Sequence, residues 1–400
     1  MKDKLVAGLD IGTTKICVLI ARVKQGEDFE ILGVGTAPSQ GLNKGIISDI
    51  KKTSSMIKAA VRKAEARAGL KIKRIRASIA GDHIQGTNNQ GFIKIEKEDK
   101  RITSKEVEKA LEEASHIILP SGREIIHILP QEFVINGQNE VKEPIGITGT
   151  TLGARVHVIT ASSNCRQDIE NSVESLGYKC EGVTLQCLAS SMATLSPDEE
   201  DLGVALLDIG GGTTDLAVFL KKGMRFTYVL GVGGNQITND IAVGFHTTKV
   251  KAEEIKIRYG TVLPGYFKKE EGIEVEKVAE RGAYRIKEKD LLGVIQPRVE
   301  EMFELVDKEL KKSGYKDLIT AGVVLTGGSS LLKGIKEKAE EVLGLPARIG
   351  YTNIKDPQGL NNPIYATAVG LILYGIKRRK ELASKDKPRA RVKKWLKEFF

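Results

Sequence analysis

Two stretches of the chain share one pattern of apolar and polar positions. Residues 5–21 place β-branched and aliphatic side chains on both sides of the corner Asp10-Ile11-Gly12-Thr13-Thr14. Residues 202–220 do the same around Asp208-Ile209-Gly210-Gly211-Gly212-Thr213-Thr214-Asp215. Each predicts strand, tight turn, strand. The corners lie 198 residues apart, which predicts a duplicated fold with a cleft between two halves, each a sheet with flanking helices.

Helical periodicity follows the first hairpin. Residues 48–68 carry a stripe of Ile50, Ile57, Ala60, Val61 and Ala64 and stop at Gly69. Residues 75–79 alternate as a strand. From 83 to 161 the pattern predicts short strands around one helix, which opens on a Thr103-Ser104-Lys105-Glu106 capping box. Its stripe is Val107, Ala110, Leu111, Ala114 and Ile118, and Pro120, Pro130 and Pro144 punctuate the rest. Further helices are expected at 164–177, 185–195, 248–260 and 290–312, with a polar break at 196–201. A strand at 322–328 runs into a Gly turn, and a helix begins near Ser330.

This pattern gives a first half at 1–82 and 162–198, an inserted subdomain at 83–161 and a second half at 199–246 and 293–363. A small subdomain of the second half occupies 247–292. The apolar helix 364–376 is expected to pack on the first half. Residues 377–389 read as a flexible linker and 390–400 as a separate amphipathic helix.

Composition excludes several classes. With 400 residues, 41% of them hydrophobic and 28% charged, the chain is a globular protein of several subdomains. The apolar run 364–376 is too short to span a bilayer, which takes ~20 residues, and the N-terminus lacks the apolar run of a signal peptide. Cys17, Cys165, Cys180 and Cys187 show no C-x-x-C pairing and read as reduced, mostly core residues of a cytosolic protein. The net charge of +10 is uneven: residues 377–400 hold 11 Lys/Arg and 3 Asp/Glu, whereas the preceding 376 residues carry a net of only +2. A nucleic-acid-binding fold carries its basic face on the body of the domain, so no nucleic-acid partner is expected.

The Gly corners carry the chemistry. Backbone N–H groups exposed at a tight Gly turn can hold phosphates, and Gly12-Thr13-Thr14 and Gly210-Gly211-Gly212-Thr213-Thr214 both offer them, with hydroxyls from the threonines. Asp10 and Asp208, just before each turn, can hold Mg²⁺ through its water shell, and Lys15 can reach the β- and γ-phosphates as a point charge. A third corner, Leu325-Thr326-Gly327-Gly328-Ser329-Ser330, leaves backbone open to a flat ring. There is no G-x-x-x-x-G-K-[ST] P-loop, and Gly231-Val232-Gly233-Gly234 lacks the third glycine and acidic partner of a dinucleotide fingerprint.

The order of the two Asp-x-Gly loops, the Leu-Thr-Gly-Gly-Ser corner and its flanking helices resembles the actin, heat-shock-chaperone and sugar-kinase superfamily. Ala189-Ser190-Ser191-Met192-Ala193, the strand 204–207 leading into Asp208, and 252–260 are similar to the FtsA family of bacterial cell-division proteins, over essentially the whole chain. The resemblance implies an α/β, actin-like duplicated ATPase fold, with two halves around a nucleotide cleft and an FtsA-type inserted subdomain. It implies ATP and Mg²⁺ as ligands. Asp10, Gly12, Thr13, Thr14 and Lys15 would form the first phosphate loop, and Asp208 with Gly210, Gly211, Gly212, Thr213 and Thr214 the second. Glu253 and Lys256 would line the adenine and ribose, and Gly327, Gly328 and Ser329 would back the adenine. Gln186 falls where filament-forming relatives place a water-orienting residue; a helix-capping role is the alternative.

The C-terminal residues become periodic again. Val392, Trp395, Leu396, Phe399 and Phe400 form one apolar face, flanked by Arg389, Arg391, Lys393, Lys394 and Lys397, and Trp395 is the only tryptophan. A short basic helix with large aromatic side chains suits the headgroup boundary of an anionic membrane. The expected function is an actin-like, ATP-binding, membrane-peripheral protein on the cytoplasmic side of the cell membrane at the division site. At most a slow ATPase, it would anchor the FtsZ ring and help its assembly. By resemblance its partners are the FtsZ C-terminal peptide on 247–292, copies of itself in a filament, and other division proteins. A sugar or carboxylate kinase of the same superfamily, or another actin-like adaptor such as a pilus-assembly protein, is the alternative.

Overall fold

The computed structural model describes residues 4–24, 28–267, 272–276, 283–354 and 359–383. Both predicted hairpins form. Lys4–Ile11 pairs antiparallel with Lys15–Val23, and Val204–Ile209 pairs antiparallel with Thr214–Leu220. Each seeds a five-stranded sheet. The first has the order Lys179–Leu185, Arg74–Ile79, Lys4–Ile11, Lys15–Val23, Phe29–Pro38; the second Ala347–Ile349, Val323–Thr326, Val204–Ile209, Thr214–Leu220, Gly223–Leu230. In both, three consecutive strands meander antiparallel and two later strands join in parallel beside the first. The duplication is therefore topological as well as a repeat of motifs.

Helix Ile50–Ala68 covers the first sheet. Asp49 caps its start by accepting from the Lys52 amide, and Gly69 ends it in the left-handed conformation, as the stop signal predicts. It lies close on Phe29–Pro38 because that strand carries Gly33 and Gly35, where a Cβ would sit 2.2 Å from the Ala64 carbonyl and 2.0 Å from that of Ala60. On the opposite face, helix Ala366–Ala383 packs against strand Lys4–Ile11 and helix Gln186–Thr194. Helices Gly234–Gly244, Lys249–Tyr259, Glu288–Ser313 and Ile335–Leu343 belong to the second half, with the antiparallel pair Ile273–Glu276 and Ala283–Ile286.

The insert is a four-stranded sheet, Gln85–Lys94, Thr151–Ser162, Arg123–Ile135, Gln138–Val141, with helix Ser104–Ser115 against it. The Thr103/Glu106 capping box is present, and Val107, Ala110, Ala114, Phe133, Leu152 and Val156 form its own core. Its three main strands run 10 to 13 residues, longer than the Pro-punctuated pattern predicts. Pro130 sits at a register shift in the ladder, where a missing N–H is tolerated. Ile118 leaves the expected stripe: the helix stops at Ser115, and Ile118 is 99% exposed.

Other expectations shift for local reasons. The polar break 196–201 is a short helix, Pro197–Leu202, because Ser196 and Glu199 form a capping box with Pro at its start. The turn after the third Gly corner is 3₁₀ over Gly328–Leu331, and the α-helix waits until Ile335. The expected linker at 377–389 begins inside a helix, since Ala366–Ala383 continues past Ile376: Lys and Arg are good helix formers. The expected amphipathic helix 390–400 lies outside the described residues. Among the described residues no helix is long and apolar enough to cross a membrane.

Candidate functional site

Where the two halves meet, the two Gly corners close one wall of a cavity of about 460 Å³. The turns are copies. The Gly12 amide donates to the Lys15 carbonyl at 3.1 Å, and the Gly210 amide donates to the Thr213 carbonyl at 2.9 Å. They touch across the cleft: a Cβ on Gly211 would lie 2.3 Å from Thr14 Cγ2, and one on Gly212 2.5 Å from Thr13 Oγ1. Absence of side chains on Gly211 and Gly212 lets the backbone of the second turn meet the threonine side chains of the first.

Asp10, Gly12, Thr13, Thr14, Lys15, Gln186, Asp208, Gly210, Gly211, Gly212, Thr213, Glu253, Lys256, Gly327, Gly328 and Ser329 all line this cavity. Thr214 does not. It is the first residue of its strand and fully buried, and its hydroxyl donates to the Val232 carbonyl at 2.8 Å. The register explains this. Ile209 faces Thr214 as Ile11 faces Ile16, so Thr213 is the counterpart of Lys15, and Thr214 that of an inward-facing isoleucine.

The polar side chains are held by specific partners. Asp10 accepts from Ser78 Oγ at 3.2 Å, and that hydroxyl also accepts the Ile11 amide at 2.9 Å. Asp208 accepts from Ser190 Oγ and, at 3.2 Å, from Thr367 Oγ1. Lys15 donates to the Ile364 carbonyl at 2.7 Å with its ammonium 4.4 Å from the Tyr365 ring centroid, so it is braced on the 3₁₀ turn Pro363–Tyr365 that leads into the last helix rather than extended over the loop. Lys256 donates to the Gly234 carbonyl at 2.9 Å and pairs with Glu253 at 2.7 Å. Ser329 donates to the Gly210 carbonyl at 3.1 Å, tying the third corner to the second loop. Gln186 is the first residue of its helix, whose cap is Leu185, so its amide is not the capping group.

Sequence reasoning passed over Asp215, which faces Asp208 across the hairpin. It is fully buried; Thr213 Oγ1 donates to one carboxylate oxygen at 3.0 Å, and the other, Oδ1, has no hydrogen-bond partner. Burial, and then the Asp208 charge, push its carboxyl up to about 8. Burial raises Asp10 to about 6, with Lys15 opposing and Asp208 adding to the rise, and burial also raises Asp208. Three carboxyls gathered against the single cation of Lys15 resist ionising together. An unsatisfied carboxylate oxygen in such a group fits a hydrated divalent cation. Among the described residues no group of three His, Cys, Asp or Glu side chains is placed to hold a metal ion directly. The signal for Asp215 was its position in the Asp208 motif. Thr367 and Ile364, over 150 residues further on, gave none.

A family model described as "Cell division protein FtsA" matches residues 205–370, and one described as "SHS2 domain inserted in FTSA" matches residues 81–160. The cell division protein FtsA of Pseudomonas aeruginosa is 39% identical over 98% of this chain and 97% of its own length. That of Neisseria meningitidis is 38% identical over 100% and 99%, and that of Escherichia coli 36% over 93% and 90%. The chain belongs to the FtsA family of cell division proteins. The FtsA-type insert is thus the four-stranded subdomain described above. Among solved structures, the chain superposes on the PilM–PilN type IV pilus biogenesis complex with a TM-score of 0.67 at 18% identity, covering 93% of this chain and 98% of that one. For MreB5 of Spiroplasma citri bound to ADP the TM-score is 0.58 at 14% identity, with 96% and 98% covered. At these identities the likeness is one of fold, and it places this FtsA-family chain in the actin-like ATPase fold.

Proposed function

We propose that this chain is an ATP-binding member of its family that anchors a ring of FtsZ to the cytoplasmic face of the cell membrane at the division site and helps the ring assemble. The observation that carries the nucleotide reading is the cavity closed by two touching Gly turns with Asp10, Asp208 and Asp215 buried behind them. Backbone amides within 13–15 and 211–213 would hold the phosphates, those of Gly12 and Gly210 being used to close the turns. Glu253 and Lys256, fixed to one another, would offer a polar edge to the ribose, and Gly327 and Gly328 a flat wall to the adenine. Asp10 and Asp208, which line the cavity, would hold Mg²⁺ through its waters, which would neutralise phosphate charge when bound; Asp215 lies buried beside Asp208, outside the lining. Gln186 would orient water without accepting a proton, a weaker role than base catalysis, so any hydrolysis would be slow.

FtsZ docking through a C-terminal peptide on 247–292 is supported by exposed apolar side chains there that lie outside the nucleotide cavity, Val250 at 70%, Tyr266 at 39% and Phe267 at 38%. Membrane attachment is assigned to 390–400, with Val392, Trp395, Leu396, Phe399 and Phe400 as the apolar face and Lys393, Lys394 and Lys397 toward the headgroups. Each cation near an anionic surface contributes ~1 kcal/mol, so single subunits bind reversibly and a filament of them binds by avidity.

The test is co-sedimentation of the full chain and of a form lacking 390–400 with anionic liposomes, with Mg-ATP binding measured in parallel. The full chain is expected to pellet and the shortened one to stay in solution while still binding ATP. Asp208→Ala is expected to lose ATP. Equal pelleting of the two forms refutes the anchor, and unchanged ATP affinity in Asp208→Ala refutes the cleft.

A further inference from the structure

A second cavity, of about 400 Å³, lies where the insert, both halves and the last helix converge. Its floor is apolar, with Leu129 from the insert, Leu188 and Met192 from helix Gln186–Thr194, and Phe219 and Met224 from the second half. Among the described residues its charged lining is Glu200, Lys222, Lys377 and Arg378, three cations to one carboxylate. A hollow of this size with an apolar floor and a few convergent charges has the build of a small-ligand site.

The hairpin that delivers Lys222 supplies an independent sign. Lys221 and Lys222 form the two-residue turn between Thr214–Leu220 and Gly223–Leu230, and both adopt left-handed backbone, with φ of 54° and 63°. Such a turn favours Asn and Gly, and residues with a side chain pay strain to occupy it. Lys221 is accounted for by its ion pair with Glu140 of the insert. Lys222 instead lines the cavity, and its amide donates to the Glu200 carbonyl at 2.9 Å. Glu200 sits on the same wall. Burial raises its carboxyl to about 7, while Lys377 and Lys222 pull it down and Glu199 adds to the rise.

We propose that this cavity binds a small carboxylate-bearing amphiphile, its apolar body on the Phe219–Met224 floor and its anionic head against Lys222 and its neighbouring cations. Charge decides the head: a cationic amphiphile would meet three like charges, and a neutral one would leave the strained lysine without a purpose. The inference does not depend on what the first cavity binds.

Titration calorimetry of octanoate into the full chain at pH 8 tests it, with octylamine and inorganic phosphate as comparison ligands. Octanoate is expected to bind at one site, and neither comparison ligand to displace it. Lys222→Asn removes the cation and suits the left-handed backbone, so folding is kept while octanoate weakens about tenfold, the loss of one charge-assisted contact. Glu200→Gln removes the opposing charge and should tighten binding several-fold. The basic C-terminal segment is the competing source of octanoate binding, and neither substitution touches it. No saturable octanoate binding, an affinity unmoved by both substitutions, or octylamine binding as well as octanoate each overturns the proposal.

Discussion

The two Gly hairpins are the same structure carrying different chemistry. Both have four residues between facing isoleucine or threonine positions, the same turn hydrogen bond and the same place at the head of a five-stranded sheet. Opposite the Asp of the first hairpin stands Cys17; opposite the Asp of the second stands Asp215. Where the first turn ends in Lys15 the second ends in Thr213. Duplication thus copied the cradle of backbone amides, and the side chains then divided the work. The first hairpin brings Lys15 with a single carboxylate, Asp10, and the second brings paired carboxylates and no cation of its own. A phosphate would be drawn to Lys15 and a metal cation to the carboxylates.

The contact between the loops is the most fragile part of this arrangement. Gly211→Val drives a branched side chain into Thr14, already 2.3 Å from where its Cβ would lie. Overpacking of this kind costs about 3 kcal/mol, roughly a hundredfold in affinity. Titration with a fluorescent ATP analogue should show that loss while the circular dichroism melt stays cooperative. Full-strength binding by Gly211→Val would mean that the loops do not close on nucleotide together.

The carboxylate pair of the second hairpin should be visible in stability. A carboxyl raised to about 8 in the folded state, against ~3.9 unfolded, holds its proton longer when folded than when unfolded. Folding stability in the absence of ligand therefore falls as pH rises from about 4 to about 8. Asp215→Asn removes this dependence and should stabilise the ligand-free protein at pH 8 by on the order of 3 kcal/mol. Urea unfolding of both forms at pH 5 and pH 8 checks the sign, and a parent protein more stable at pH 8 would contradict it. Asp10, raised to about 6, adds a smaller slope of the same sign that Asp215→Asn leaves in place.

What was legible in the sequence follows from range. The hairpins, the helix expected at 48–68 with its Gly69 end and the capping box at Thr103 are written in neighbouring residues, and pattern reading located them, though the helix starts at Ile50 behind an Asp49 cap that was not read. The insert was visible as a change of rhythm, although its strands are longer than their prolines imply, because one proline rests at a ladder irregularity. Helix Gly234–Gly244 and strand Gly223–Leu230 went unread: a glycine-rich start and a lysine turn are poor local signals, and packing on the second core settles both. The site was legible as far as its loops. Ser190, Thr367 and Ile364, which hold Asp208 and Lys15, arrive from helices whose own patterns say only that they are buried. Thr214 was placed in the loop with the rest of its motif, whereas the strand pairing with Ile209 turns it inward.

The smallest expected effect isolates the comparison most cleanly. Cys17 occupies the place of Asp215, and burial pushes its thiol up to about 12, with Lys15 opposing and Asp10 adding. It is therefore a neutral, fully buried hydrophobe at any physiological pH. Cys17→Ala should cost about 1 kcal/mol through lost packing, leave the pH dependence of stability unchanged, and keep nucleotide affinity within about twofold. Asp215→Asn, at the equivalent position, should do the reverse, altering the pH dependence with little change in volume. If Cys17→Ala instead shifts the pH profile, the thiol takes part in the charge balance of the cleft and the halves are less divided than their side chains indicate. An unchanged profile leaves the titration to the carboxylates, and the first hairpin then acts through its backbone and Lys15.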